Sequence, residues 1–256
     1  MIHVPTAPWA HTVFDLLAWA SGIGLSVVLY RWRLKQVAQQ VAAKIDGVYF
    51  AALAAGAAVG AWLAGSLNTL REHAPALSHS VAGALVGAIV AVEIYKALRG
   101  IKGSTGGVFV GSFSLGVEIG RLGCFFAGLP DDTYGTPTRL PWAVDLGDGV
   151  PRHPVQLYES ASMALFLAVY LIALWNRRPW AMRRGFYVMC VWYGLQRFAW
   201  EFLKPYPRLI GPFNVFHLMC AGLMAYGWAY YLADRRREPG AQIGPVSVPR
   251  PDNQPV

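Results

Sequence analysis

Long apolar stretches alternate with short polar connectors along almost the whole chain. The apolar stretches run to roughly 18–22 residues, the length at which a helix crosses about 30 Å of hydrocarbon. They predict seven membrane-spanning helices, at about residues 12–30, 46–66, 79–98, 107–128, 153–175, 185–203 and 212–232. The fourth is the least uniform, since it holds Glu118 and Arg121 and ends at Gly128. Small residues crowd the second and third, from Ala51 to Gly65 and from Ala82 to Ala91, as in helices whose backbones approach closely in lipid. Residues 238–256 are rich in proline and polar residues and have no apolar period. The expected organisation is therefore one transmembrane helical domain over residues 1–237 and a disordered cytoplasmic tail over 238–256. No internal repeat is evident, which argues against an inverted-repeat transporter.

Composition sharpens this to an all-α, polytopic integral membrane protein. Hydrophobic residues make up 55% of the chain and charged ones only 14%, against about 25% charged in a soluble domain. A net charge of +8 would suit nucleic acid, but the basic residues gather in alternate connectors. Arg31, Arg33, Lys35 and Lys44 follow the first span, Arg99 and Lys102 the third, Arg177, Arg178, Arg183 and Arg184 the fifth, and Arg235, Arg236 and Arg237 the last. The opposite connectors hold far fewer. The positive-inside rule then places the N-terminus outside and the C-terminus in the cytoplasm, with no nucleic-acid partner implied. The stretch through His11 has no Lys or Arg and no cleavage-site pattern follows the first apolar block, so the first helix is expected to stay. Trp9, Trp32, Trp142, Trp175 and Trp180 fall at predicted interfaces, as in an aromatic belt. Cys124, Cys190 and Cys220 lie inside apolar segments, and no Cys/His spacing suggests a disulfide framework or a metal site.

Against this background, charge at bilayer depth is the informative signal, because it costs at least about 3 kcal/mol per group. Glu118 and Arg121 are three apart and Arg197 and Glu201 four apart, so each pair shares a helix face. Taken singly, each reads as a structural ion pair. Taken together, two arginines on separate helices toward the outer half of the membrane make an electropositive pocket suited to a phosphate. Gly116, Gly120, Gly123 and Gly128 around Arg121 allow close backbone approach or a broken helix end. His153 opens the fifth span before Pro154 and is a candidate for proton transfer or headgroup orientation beside Gln156, Tyr158 and Glu159. Gln156 and Glu159 continue its face, and Arg121 or Arg197 are the obvious partners for that stripe. Glu93 and Lys96 read as a snorkelling interfacial pair and Asp15 as an interfacial residue.

Gly120 to Gly128 reads G-R-L-G-C-F-F-A-G, and Arg152 to Glu159 reads R-H-P-V-Q-L-Y-E. This pairing resembles the prolipoprotein diacylglyceryl transferases of bacterial inner membranes, whose signature runs G-R-x-G-N-F-x-N-G, then a periplasmic loop, then H-P-x-Q-L-Y-E. Gly194 to Lys204, G-L-Q-R-F-A-W-E-F-L-K, resembles the family's sixth-helix arginine motif and places its second arginine at Arg197. Four family positions differ: Cys124 and Ala127 stand where the family has Asn, Leu129 where it has Glu, and Ala82 where H-G-G-L-x-G has its histidine. The family's first-span tyrosine has no counterpart between Trp19 and Gly24.

The resemblance implies transfer of diacylglycerol from phosphatidylglycerol to the lipobox cysteine thiol of a lipoprotein precursor, in a bacterial inner membrane and without metal or cofactor. Arg121, Arg197, His153 and Glu201 would be catalytic; Gly120, Gly123, Gly128, Gln156, Tyr158, Glu159 and Glu118 would line the substrate. The general base is open between His153 and His79, which lies one turn before Ala82; Cys124 reads as a packing residue with a nucleophile as the alternative. Two other readings stand beside the first: a related lipid or thiol transferase with another acceptor, and a non-catalytic lipid-binding membrane protein.

Overall fold

The computed structural model describes residues 2–69 and 78–237. The predicted tail, 238–256, lies outside the described residues. The described residues are helical apart from connectors and one short ladder, in which β1 (Ile2–His3) runs parallel to β2 (Val144–Asp145). Its helices are α1 (Trp9–Leu29), α2 (Lys35–Ala42), α3 (Gly47–Thr69), α4 (Val81–Arg99), α5 (Val110–Ala127), α6 (Val155–Trp175), α7 (Gly185–Glu201) and α8 (Val215–Arg237). This is a multi-pass membrane protein. Among the described residues, five segments are long and apolar enough to cross a bilayer: α1 with its extension, α3, α4, α5 and α6. The other two predicted spans, α7 and α8, form helices but fall outside that set. α7 has 17 residues and carries Gln196, Arg197 and Glu201, and α8 ends in Asp234 and three arginines.

One predicted connector is corrected. Arg31, Arg33 and Lys35 are helical, because α1 passes through a single π-turn (Tyr30–Leu34) straight into α2. Leu34 and Val41 are buried along this extension, and that burial holds the basic segment in a helix.

The termini follow local chemistry. Asp46 caps α3 by accepting from the backbone N–H of Val48 (2.9 Å) and Tyr49 (3.1 Å). Ser80 caps α4 through Gly83 N–H (3.2 Å), and Gly100 ends it at φ 65°. α3 and α4 pack backbone to backbone, as the small-residue composition predicts: a methyl group added at Gly60 would lie 2.3 Å from the Gly83 carbonyl oxygen. Antiparallel neighbours α1 and α5 meet at Gly123, against Phe14, and at Gly111, against Leu29. The main core lies between α5, α6, α7 and α8, around Met163, Tyr170, Met189 and Tyr193.

One end of the bundle gathers the start of α1, the ends of α5 and α7 and the start of α6. The connector 128–154 closes over it, pinned by Ile2 N–H to Ala143 O (2.9 Å) and Thr136 N–H to Leu203 O (2.7 Å).

Candidate functional site

Five charged side chains from three segments meet, buried, at that end. Glu159, in the second turn of α6, sits at their centre. Its Oε2 is 2.6 Å from Arg121 Nε on α5, and its Oε1 accepts from Lys204 Nζ at 2.8 Å. Arg197 Nη1 on α7 lies 3.6 Å from the same Oε1. Behind them, Glu201 Oε2 is 3.8 Å from both Arg197 Nη2 and Lys204 Nζ, while its Oε1 accepts from Asn214 Nδ2 at 3.1 Å. Charge this deeply buried persists only when paired, since an uncompensated ion costs several kcal/mol. Here three cations face two carboxylates, which leaves one positive charge in excess. Burial pushes the Lys204 ammonium below its ordinary value, and Glu159 pulls in the other direction. Among the described residues, Arg197 Nε and Nη1 are buried without a hydrogen-bond partner, and its guanidinium stands 5.1 Å from the Phe216 ring centroid. Planar N–H donors with spare capacity and an excess of positive charge are what an oxyanion requires.

Arg121 and Arg197 form part of the wall of a cavity of about 930 Å³. Its mouth is lined by His11, Asp15 and Asp131, and it continues past the arginines to Lys96 and Thr105 near the opposite end. The long wall between is mostly apolar, with Ala18, Leu85, Ile89, Phe113 and Val117. Such a cavity fits an amphiphile with an anionic head at the arginines and an apolar tail down the bundle.

The sequence-predicted residues divide into three groups. Arg121, Arg197 and Gly120 line the cavity, and Glu159 and Glu201 stand behind the arginines and fix them. Both expected partners of Glu159 are in place. Arg121 takes Glu159 as its carboxylate partner and not Glu118, because α6 packs on α5 at Arg121's depth. Glu118 itself meets α6 through its backbone carbonyl, which accepts from Ser160 Oγ at 2.8 Å. The remaining predicted residues lie away from the cavity wall. Gln156 is buried, with neither amide atom hydrogen-bonded. Tyr158 OH accepts from Trp142 Nε1 at 2.7 Å. His153 is held in the connector 128–154 by its backbone N–H to Thr136 O at 3.0 Å. Gly123 makes room for Phe14, and Gly128, at φ 77°, turns the chain against Thr6. Of the residues tied to the thiol base, His79 lines the cavity and is exposed, 4.1 Å from the Trp62 ring centroid, whereas Ala82 is fully buried. Glu93 and Lys96 do pair, at 2.7 Å, but Lys96 is only 3% exposed and Glu93 also accepts from Tyr226 OH. They are an internal pair, not a snorkelling one, because α8 covers them.

Sequence reasoning passed over three parts of this site. Lys204 was counted as connector charge, although its position three residues after Glu201 extends the Arg197–Glu201 face. Asn214 carried no signal. The third part is a cluster of His11, Cys124 and Asp131, whose ligand atoms all lie within 4.8 Å of one another. It joins His11 to Cys124 and Asp131, more than a hundred positions further along, so no local spacing announces it.

Comparison with known proteins adds the following. A sequence family described as prolipoprotein diacylglyceryl transferase matches residues 16–233. The chain is similar to the phosphatidylglycerol–prolipoprotein diacylglyceryl transferase of Cupriavidus necator, at 32% identity over 62% of this chain and 60% of the relative. Those of Solidesulfovibrio magneticus (40% identity, 44% of this chain, 38% of the relative) and Bordetella parapertussis (33%, 57% and 53%) are also similar. The chain thus spans about half the length of the curated relatives it matches. No solved structure matches.

Proposed function

The chain belongs to the prolipoprotein diacylglyceryl transferase family, and on that premise we propose that it transfers diacylglycerol from phosphatidylglycerol to the lipobox cysteine thiol of a lipoprotein precursor. The observation that carries this reading is the buried arginine pair with surplus positive charge at the head of a long apolar cavity. The acyl chains lie along the apolar wall. The lipid phosphate takes the place beside Arg121 and Arg197, where both line the cavity.

The acceptor thiol enters at the mouth and attacks the glycerol carbon that bears the phosphate ester. The thiol loses its proton to solvent, a sulfur–carbon bond forms, the carbon–oxygen bond breaks, and glycerol phosphate leaves with the electron pair. Its extra negative charge develops between the two guanidinium groups, where preorganised N–H donors in a water-poor site stabilise the transition state more than the ground state. Glu159 and Glu201 hold both arginines in place before substrate arrives and so limit reorganisation. His153 acts from the outer connector, Gly120 lines the headgroup, and Gly123, Gly128, Gln156, Tyr158 and Glu118 shape the segments around it.

The same reading carries the remaining features. All seven long helices span a bacterial inner membrane, with the N-terminus and site outside, the C-terminus in the cytoplasm, and residues 238–256 as a disordered tail.

The test is purified protein in phosphatidylglycerol-containing detergent with a peptide bearing one lipobox cysteine, read by mass spectrometry. A diacylglyceryl adduct is expected, and Arg121→Ala or Arg197→Ala should slow its formation by about 100–1000-fold. Saturable lipid binding with no adduct would overturn transfer and leave a lipid-binding protein.

A further inference from the structure

At the cavity mouth, α1, α5 and the turn after α5 bring together an imidazole, a thiol and a carboxylate. His11 Nδ1 is hydrogen-bonded to Asp131 Oδ1, and Cys124 Sγ completes a group whose ligand atoms lie within 4.8 Å of one another. The surroundings are those of a built site. The other imidazole nitrogen of His11, Nε2, is 3.2 Å from Asp15 Oδ2, the carboxylate–histidine arrangement that orients a metal-ligating imidazole and raises its basicity. The second oxygen of Asp131 accepts from Thr133 Oγ1 at 2.5 Å. The Asp131 side chain is 5% exposed and that of His11 42%, so the group is anchored in protein on one side and open to the cavity on the other. Arg121 Nη1 approaches the sulfur at 3.9 Å and has Glu159 as its carboxylate partner.

We propose that His11, Cys124 and Asp131 bind a thiophilic divalent cation, Zn2+ in the first instance, and that its open fourth position takes the acceptor thiol as a thiolate. One thiolate, one neutral imidazole and one carboxylate cancel the charge of the ion. Bonds of about 2.0–2.3 Å hold tetrahedral zinc ligands roughly 3.5 Å apart. The cluster reaches that spacing by side-chain rotation, as the ion replaces the proton shared by His11 and Asp131 and releases the Cys124 thiol proton to solvent. Three protein ligands with one vacant position is the pattern of catalytic zinc, and a thiol that coordinates such an ion is deprotonated outright. The thiol proton goes to solvent at the mouth, and the metal-bound sulfur then attacks the glycerol carbon as above, releasing glycerol phosphate. The proposal explains a coincidence in the chain. The residues that depart from the family pattern include Ala82, where a histidine is lost, and Cys124, where a soft ligand is gained beside His11 and Asp131.

The role of the open position rests on the transferase reading; the metal site does not. Full-length protein, stripped of metal in detergent, is titrated with Co2+. One equivalent should bind and produce a sulfur-to-cobalt charge-transfer band with tetrahedral visible bands, and Zn2+ should displace it. The sulfur band should vanish in Cys124→Ala and in Cys124→Asn, and Asp15→Asn should weaken binding by about 10–100-fold. Absence of stoichiometric binding to the unmutated protein, or a sulfur band that survives Cys124→Ala, overturns the site. A lipobox peptide should then intensify the band through a second thiolate, whereas its Cys→Ser counterpart should not. Metal binding with no peptide response overturns the open-position role. Adduct formation that persists after complete removal of metal overturns this inference while leaving the transferase reading intact; cobalt binding without any adduct does the reverse.

Discussion

Glu159 carries more of the structure than its single charge suggests. It is the common partner of Arg121, Arg197 and Lys204, at 2.6, 3.6 and 2.8 Å, and is itself only 1% exposed. Glu159→Gln leaves three buried cations with one carboxylate, and removing one partner of a buried pair costs about 3–5 kcal/mol. Thermal unfolding in detergent should show that loss, and an unchanged midpoint would mean that water or lipid already neutralises the arginines. Lys204→Met acts in the opposite sense. It removes the surplus positive charge and a buried ammonium together, so the fold should tolerate it while phosphatidylglycerol binding weakens by about tenfold, ~1.4 kcal/mol. Equal affinity in a direct lipid-binding assay would place the phosphate away from this cluster. At this scale the sequence was half legible. Arg121, Arg197, Glu159 and Glu201 stand out because charge is rare in apolar helices, whereas Lys204 hides among connector charges until α7 is seen to turn it inward.

The elements were the most legible level. Each predicted span falls on a helix with boundaries shifted by a few residues, because a hydrocarbon-length apolar run leaves the backbone few ways to satisfy its hydrogen bonds other than a helix. The small residues of α3 and α4 likewise foretold their contact. Gly60→Leu places a side chain against the Gly83 and Gly87 backbone, which cannot yield as a flexible side chain would. The expected cost is about 1–3 kcal/mol or more, measurable as a lowered unfolding temperature, with Gly24→Leu, where nothing lies within 4 Å, as the neutral control. The connector 128–154 is different, since hydrogen bonds hold it together with the burial of Val144 and Leu146. The Gly147 N–H, then Gly149 N–H and His3, hold the Asp145 carboxyl below its usual value, and Arg152 does so for Asp148. Groups with lowered folded pKa contribute stability that is present above the unfolded value of about 3.9 and is lost as pH falls through the folded value. The connector should therefore resist proteolysis at neutral pH and open only below about pH 4. Cleavage that begins near pH 6 would point to histidine instead.

For the whole molecule, the proposed orientation puts the connector 128–154 and the cavity mouth outside and the basic connectors inside. Arg139→Cys and Lys102→Cys, both at exposed positions, should then react differently with a membrane-impermeant maleimide applied to intact spheroplasts. Label at position 139 and none at 102 until lysis is the expected result; the reverse would invert the topology. Hydropathy and charge by themselves determined that this is a helical membrane protein, where its helices run and which charges are too costly to be incidental. Those are one-dimensional properties, set by the exchange of each segment between water and lipid. Tertiary packing decided the rest: that Arg121 answers to Glu159 and not to Glu118, that Lys96 is enclosed, and that His11, Cys124 and Asp131 meet. The reason is geometric. A helix-spacing argument places residues on a face, but only the packing of α1, α5, α6 and α7 at one end determines which face each of them meets.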